Sequence, residues 1–239
     1  MYMKKSHNNW KKLLTTASVL AMLFVVQEAW AEKMPYHPCG WYGTGALSKI
    51  INADDSGIRV DLGTGVLQEG EIDYDGNFGG AVAVGYENSI CYKKNKPIYL
   101  RVEAELFGGS IHRSGVDFGA RHADLDDTVQ LRALFFNGLL GLKDTRHTRW
   151  WLGAGAGYAS TRFPDASSAT PCGCMKAVHN NGVAFQVKLQ GERQISTSAA
   201  LFLEAGYMRL PGGRTNIIPT VEYSDLNLTN ISLGLRTYF

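Results

Sequence analysis

The sequence predicts an all-β fold, specifically an eight-stranded antiparallel transmembrane β-barrel with short periplasmic turns and four long outer loops. Three observations lead there. Eight segments alternate apolar and polar residues with period 2, and the gaps between them run long, short, long, short along the chain. The N-terminus has the form of an export signal, and no other apolar run is long enough to cross a bilayer as a helix.

At the N-terminus, Lys4, Lys5, Lys11 and Lys12 make a positive segment ahead of the apolar stretch Leu13–Val26. Ala29-Trp30-Ala31 then supplies the small-x-small pattern that signal peptidase cleaves, which divides the chain into a removed segment, 1–31, and a barrel domain, 32–239. No Cys follows the cut directly, so no lipoprotein anchor is expected. Losing those four lysines and Glu28 takes the chain from 24 basic and 22 acidic residues to 20 and 21. The remaining domain is therefore near neutral, and nucleic acid is not an expected partner.

The expected strands are Trp41–Lys49, Phe78–Glu87, Ile98–Gly109, Thr128–Leu142, His147–Ser160, Gly182–Gln194, Ala199–Leu210 and Asn227–Phe239. Their length matches the roughly 9–11 residues that a tilted strand needs to cross a membrane. Alternation is clearest late in the chain. Val183, Phe185, Val187 and Leu189 oppose Gln186, Lys188, Gln190 and Glu192, while Ile231, Leu233 and Leu235 oppose Asn230, Ser232 and Arg236. Earlier, Ile98, Leu100, Val102 and Leu106 oppose Arg101, Glu103 and Glu105.

Such alternation fits both a soluble sandwich, with its apolar face inward, and a membrane barrel, with its apolar face on lipid. Connection lengths separate the two. Long gaps at Ile50–Asn77, Ser110–Asp127, Thr161–Asn181 and Pro211–Leu226 alternate with short ones at Asn88–Pro97, Lys143–Arg146 and Ile195–Ser198. Outer-membrane barrels have short turns inside and longer loops outside. Trp41, Tyr86, Trp150, Tyr158 and Tyr207 fall near strand ends, where interfacial aromatic girdles lie. Within the first long gap, Ile58-Arg-Val60 and Val66-Leu67 suit an extended hairpin above the membrane.

Residues 41–239 resemble the eight-stranded outer-membrane barrels of Gram-negative bacteria, the group containing OmpA-type and opacity-like surface-antigen barrels. The resemblance rests on Trp151-Leu-Gly-Ala-Gly-Ala-Gly-Tyr158, Phe185-Gln-Val-Lys-Leu-Gln-Gly191, Leu201-Phe-Leu-Glu-Ala-Gly-Tyr207 and Ile231-Ser-Leu-Gly-Leu-Arg-Thr-Tyr-Phe239. It implies location in the bacterial outer membrane and contact with outer-membrane lipid and lipopolysaccharide. It also implies Phe239 as the signal for the barrel-insertion machinery; Thr237, where an aromatic is frequent, departs from the pattern. The role implied is structural or surface-interacting, adhesin- or antigen-like, with a host or surface ligand at the outer loops. Neither catalysis nor a cofactor is expected. The alternatives are a narrow channel for small solutes or ions and a lipid A-modifying barrel enzyme.

Arg101, Glu103, Glu105, Arg132, Lys188, Glu192, Glu204 and Arg236 are assigned to the inward face. Eight strands leave a lumen just wide enough for side chains to fill, so these charges are expected to pair across it as a plug. In an oxidising compartment, Cys39 and Cys91 are expected to bridge, as are Cys172 and Cys174 through a strained local link. Neither a metal site nor a dinucleotide site is read. Two cysteines with His179 nearby do not make a zinc site. Gly153-Ala-Gly155-Ala-Gly157 lies mid-strand with Tyr158 at the sixth position, and Asp73-Tyr-Asp75-Gly-Asn77 is followed by Phe78. His112, Asp117, His122, Asp124, Asp126 and Asp127 have no regular ligand spacing and read as a hydrated acidic loop. His112-Arg-Ser114 is the one local His-x-Ser, and its nearest strand carboxylates, Glu103 and Glu105, face inward.

Overall fold

Period-2 segments rich in Val, Leu, Phe and Tyr bury or wet alternate residues only as strands, and strands are what the chain forms. The computed structural model describes residues 40–53, 56–61, 63, 67–92, 96–119, 121–144, 148–166, 175–215 and 218–239. The expected cleavage site, Cys39, Cys172 and Cys174 lie outside them, as does the side chain of Cys91. Nothing described therefore bears on either expected disulfide.

Eight strands close a ring: β1 (Gly40–Ala53), β4 (Phe78–Tyr92), β5 (Lys96–Phe118), β6 (Arg121–Asp144), β7 (Thr148–Phe163), β8 (Val178–Gln194), β9 (Ala199–Leu210) and β12 (Leu226–Tyr238). Each pairs antiparallel with the next. Closure is made by β12 on β1, with Tyr238 opposite Tyr42 and Leu228 opposite Ala53. Closure leaves no row of unpaired backbone groups facing lipid, which hydrocarbon would penalise by several kcal/mol per group. Outward residues form a wide apolar belt. Leu47, Val82, Val102, Leu106, Phe136, Val183, Phe185 and Leu235 are exposed, and Trp41, Tyr86 and Trp150 mark its edge on the short-turn side.

Sequence spacing underestimated the strands on the side of the long connections. β5 and β6 run 23 and 24 residues. At about 3.3 Å per residue and a tilt near 40°, they rise roughly 60 Å, against an apolar belt about 25 Å tall. The expected second loop is thus a hairpin continuing the barrel wall, turned at Gly119, whose φ of 62° is left-handed and suits glycine.

Four further strands join it. The hairpin β2 (Ser56–Asp61) and β3 (Leu67–Asp75) pairs along the upper part of β5. β11 (Thr220–Tyr223) adds to β2, and the short β10 (Gly213–Arg214) adds to β11. β10 comes against the start of β8, where Asn180 donates to the Gly212 carbonyl at 2.5 Å. The long connections therefore build a second storey of sheet on top of the barrel.

Candidate functional site

The inward face changes chemistry along its height. Toward the short turns it is charged. Arg101 on β5 donates to Glu87 on β4 through Nη2 at 2.7 Å and Nε at 2.9 Å, and its Nη1 reaches Glu192 on β8 at 2.8 Å. Its guanidinium stacks over Trp151 at 3.6 Å. Arg149 takes the other oxygen of Glu87 at 2.6 Å and lies over Tyr99. Arg236 pairs with Glu192 and donates to Gln190 at 2.9 Å. One step up, Lys188 pairs with Glu103 and Glu105 and stands 3.6 Å from Glu204. Asn137 donates to both Glu103 and Glu105 at 3.1 Å, and Tyr42 donates to Glu103 at 3.0 Å. The four cations Arg101, Arg149, Lys188 and Arg236 thus meet the five carboxylates Glu87, Glu103, Glu105, Glu192 and Glu204, all but Glu204 buried.

Two members of this cluster, Glu87 and Arg149, were absent from the sequence assignment. Their signal was parity: Glu87 shares a face with Gly85, and Arg149 with Trp151 and Gly153. Arg132 corrects the assignment in the opposite direction. It is exposed on the outer face of β6, whereas Leu131, Ala133, Phe135 and Asn137 point inward. The misplacement has a physical origin. In this stretch both faces of β6 are apolar, so the lone charge looked like an inward residue when the inward positions are the hydrophobic ones.

Above the charged half the lumen turns apolar. Ile50, Ile111, Val129, Leu131, Phe135, Phe163, Met208, Leu210, Leu226 and Leu228 are buried in one cluster. It continues upward into Ile58, Val60, Ile72, Val116, Leu125 and Val221 of the second storey. Phe163 and Tyr223 stack there with ring centroids 4.2 Å apart. Arg113 is buried at the same level, paired with Asp127 and donating to the Pro164 carbonyl at 3.0 Å. Between the two halves, a cavity of about 20 Å³ lined by Ser48, Phe107, Phe202, Met208, Asn230 and Ser232 has room for about one water. The glycine run of β7 serves packing. A side chain at Gly155 would collide with Asn137, and one at Gly153 with Leu139 and Lys188.

On the outer storey, Asp73, Asp117 and His122 bring their ligand-type atoms within 4.8 Å of one another. His122 Nδ1 is 2.7 Å from Asp117 and Nε2 is 3.2 Å from Asp124. These hydrogen bonds, that to Asp117 first, hold the imidazole pKa above its usual value. When protonated, the imidazolium donates from both nitrogens and pairs with Asp117 and Asp124. His112 lies 3.8 Å from Asp126, and Ser114 donates to the Asp73 carbonyl at 3.4 Å, so the local His-x-Ser is not brought together. A different pair is: Ser160 Oγ and His179 Nε2 are 2.8 Å apart on the outer face. Among the described residues no carboxylate orients that imidazole, which a serine nucleophile's base would need. Phe239 ends the closing strand, exposed, its N–H bonded to the Trp41 carbonyl at 3.1 Å.

No protein family matches the chain as a sequence, and no curated protein does. Among solved structures, the fold is similar to that of the outer membrane protein AlkL in DMPC lipid bilayers. The TM-score is 0.50 at 14% identity, covering 87% of this chain and 94% of that one. Neisserial surface protein A is similar with TM-score 0.43 at 12% identity, covering 84% of this chain and 97% of that one. Ail, the attachment invasion locus protein of Yersinia pestis, solved with the heparin analogue sucrose octasulfate, gives TM-score 0.36 at 8% identity and coverages of 82% and 99%. At these identities the likeness is one of fold: the chain has the architecture of an eight-stranded outer-membrane β-barrel.

Proposed function

We propose that this chain is an integral protein of the bacterial outer membrane whose work is done by its outer surface. In this reading residues 1–31 are removed on export and Phe239 is read by the insertion machinery. The observation that carries the proposal is that the described residues fill the lumen, by ion pairs toward the periplasm and by apolar side chains above, with room between them for about one water, beneath a storey of sheet. A filled barrel is a stem and anchor, and the rigid surface it holds above the membrane is what a partner meets. That surface is rich in carboxylates: Glu69, Glu71, Asp75, Asp124, Asp126 and Glu222 are exposed, against Arg59, Arg121 and Arg214. The partner it suits is a cationic one, and attraction between exposed charges weakens with salt.

The test is adhesion to a cultured host-cell layer. Cells displaying the intact chain should adhere in a salt-sensitive way, and cells displaying a chain with 56–75 replaced by a short turn should not. Equal adhesion by both would overturn the surface reading.

A further inference from the structure

The outer face of β6, β7 and β8 changes character at one level. Below it stand Leu134, Phe136, Tyr158, Val183 and Phe185, all exposed and apolar. Immediately above, strand register lines up two polar rungs, Arg132–Ser160–Asn181 and then Gln130–Arg162–His179. From Trp150 to Ser160 on β7 is ten residues of one strand. At about 3.3 Å per residue and a tilt near 40°, that is roughly 25 Å of height, the span of the apolar belt. With the short turns inside, the two rungs sit at the headgroup level of the outer leaflet.

The arginines here differ from three other exposed cations of the barrel rim and storey, each of which is engaged. Arg209 is paired with Asp225 at 2.8 Å and Arg59 with Glu69 at 3.2 Å, while Lys49 donates to the Gly76 carbonyl. Among the described residues, Arg132 and Arg162 make no ion pair. Strand spacing near 4.8 Å and a two-residue step of about 6.7 Å put their Cα atoms roughly 8 Å apart, so both guanidinium groups reach a single anion. His179 Nε2 lies 2.8 Å from Ser160 Oγ, and where that hydroxyl donates, Nδ1 carries the ring proton and is a further donor.

We propose that this patch is a docking site for a phosphorylated glycolipid of the outer leaflet, lipid A in class. Its phosphate sits between Arg132 and Arg162, its sugar meets Asn181 and Gln130, and its acyl chains lie on Tyr158, Leu134 and Val183. Guanidinium groups bind phosphate through paired N–H donors, and their methylene stems cover the apolar ring below. An outward arginine costs little at the interface and far more at mid-membrane, which fits its placement one step above the belt. The inference rests on the barrel's orientation and is independent of any partner of the second storey.

The test is native mass spectrometry of the full-length mature protein in detergent, titrated with diphosphorylated lipid A, dephosphorylated lipid A or inorganic phosphate. The expected result is retention of one diphosphorylated lipid A, at least tenfold weaker binding by Arg132→Gln/Arg162→Gln, and recovery of much of it by Arg132→Lys/Arg162→Lys. Dephosphorylated lipid A and free phosphate should bind at least tenfold more weakly than the diphosphorylated lipid. Equal retention by the glutamine variant, with its heat-dependent gel shift intact, would overturn the proposal. So would equal retention of the two lipids.

Discussion

Arg101 has a partner on every side: Glu87 across the β4–β5 pair, Glu192 and Gln190 from β8, Tyr238 from β12, and Trp151 under its guanidinium plane. Removing one member of a buried pair leaves the other charge desolvated and uncompensated, at about 3–5 kcal/mol. Arg101→Ala should therefore lower the temperature at which the barrel unfolds in detergent, as should Arg236→Ala and, less, the more peripheral Glu204→Ala. Heat-dependent gel mobility reads this out, and unchanged midpoints in all three would count against a structural ion cluster. Exposed His122 makes a different prediction. Its folded pKa lies above the ordinary value, so whatever stability its pairs lend the outer storey is present below the unfolded pKa, near 6.5, and is lost as pH rises through the folded pKa. NMR titration of its ring protons should give a midpoint above 6.5 that falls back toward that value in Asp117→Asn.

At the scale of elements, the storey depends on mutual support. Ile58 and Val60 of β2, Ile72 of β3 and Val221 of β11 share one buried cluster with Ile111, Val116, Leu125 and Val129 of β5 and β6. No two-stranded hairpin buries enough apolar surface to stand in water alone. Replacing 56–75 by a short turn should strip β5 of a neighbour and make 112–127 sensitive to protease on intact cells, while the heat-dependent gel shift of the membrane-embedded ring persists. Resistance of 112–127 to protease in that variant would mean that the β5–β6 hairpin holds itself. The alternation of β8 and β12 was readable because one face is continuously apolar and the other continuously polar. Along β6, inward Leu131, Ala133 and Phe135 alternate with outward Leu134 and Phe136, so hydrophobicity carried no phase and Arg132 was assigned to the wrong side.

At the scale of the whole molecule, closure and filling are separate properties with separate readouts. Closure of β12 on β1 predicts a compact species without boiling and a slower one after it, in the outer-membrane fraction. Filling predicts no steady unitary current in planar bilayers, since the ion cluster and the apolar plug occlude the path in series. A steady current abolished by Glu204→Gln would instead favour the channel reading.

By itself the sequence determined the class of fold, the eight membrane strands, which side of the ring carries long connections, and which face of most strands meets lipid. All of these follow from local periodicity and the spacing of breaks, written within ten or twenty residues. What the lumen contains was decided only by the tertiary structure. Glu87 and Arg149 are separated by 62 residues and Tyr238 and Glu87 by 151, and no local pattern joins them. The hairpin of the second storey is expected from the sequence, but its pairing along β5 and with β11 is not, and neither are the rungs that place Arg132 beside Ser160 and Asn181. Each depends on the register with which distant strands pair, and register is fixed by packing around the closed ring rather than within any one strand.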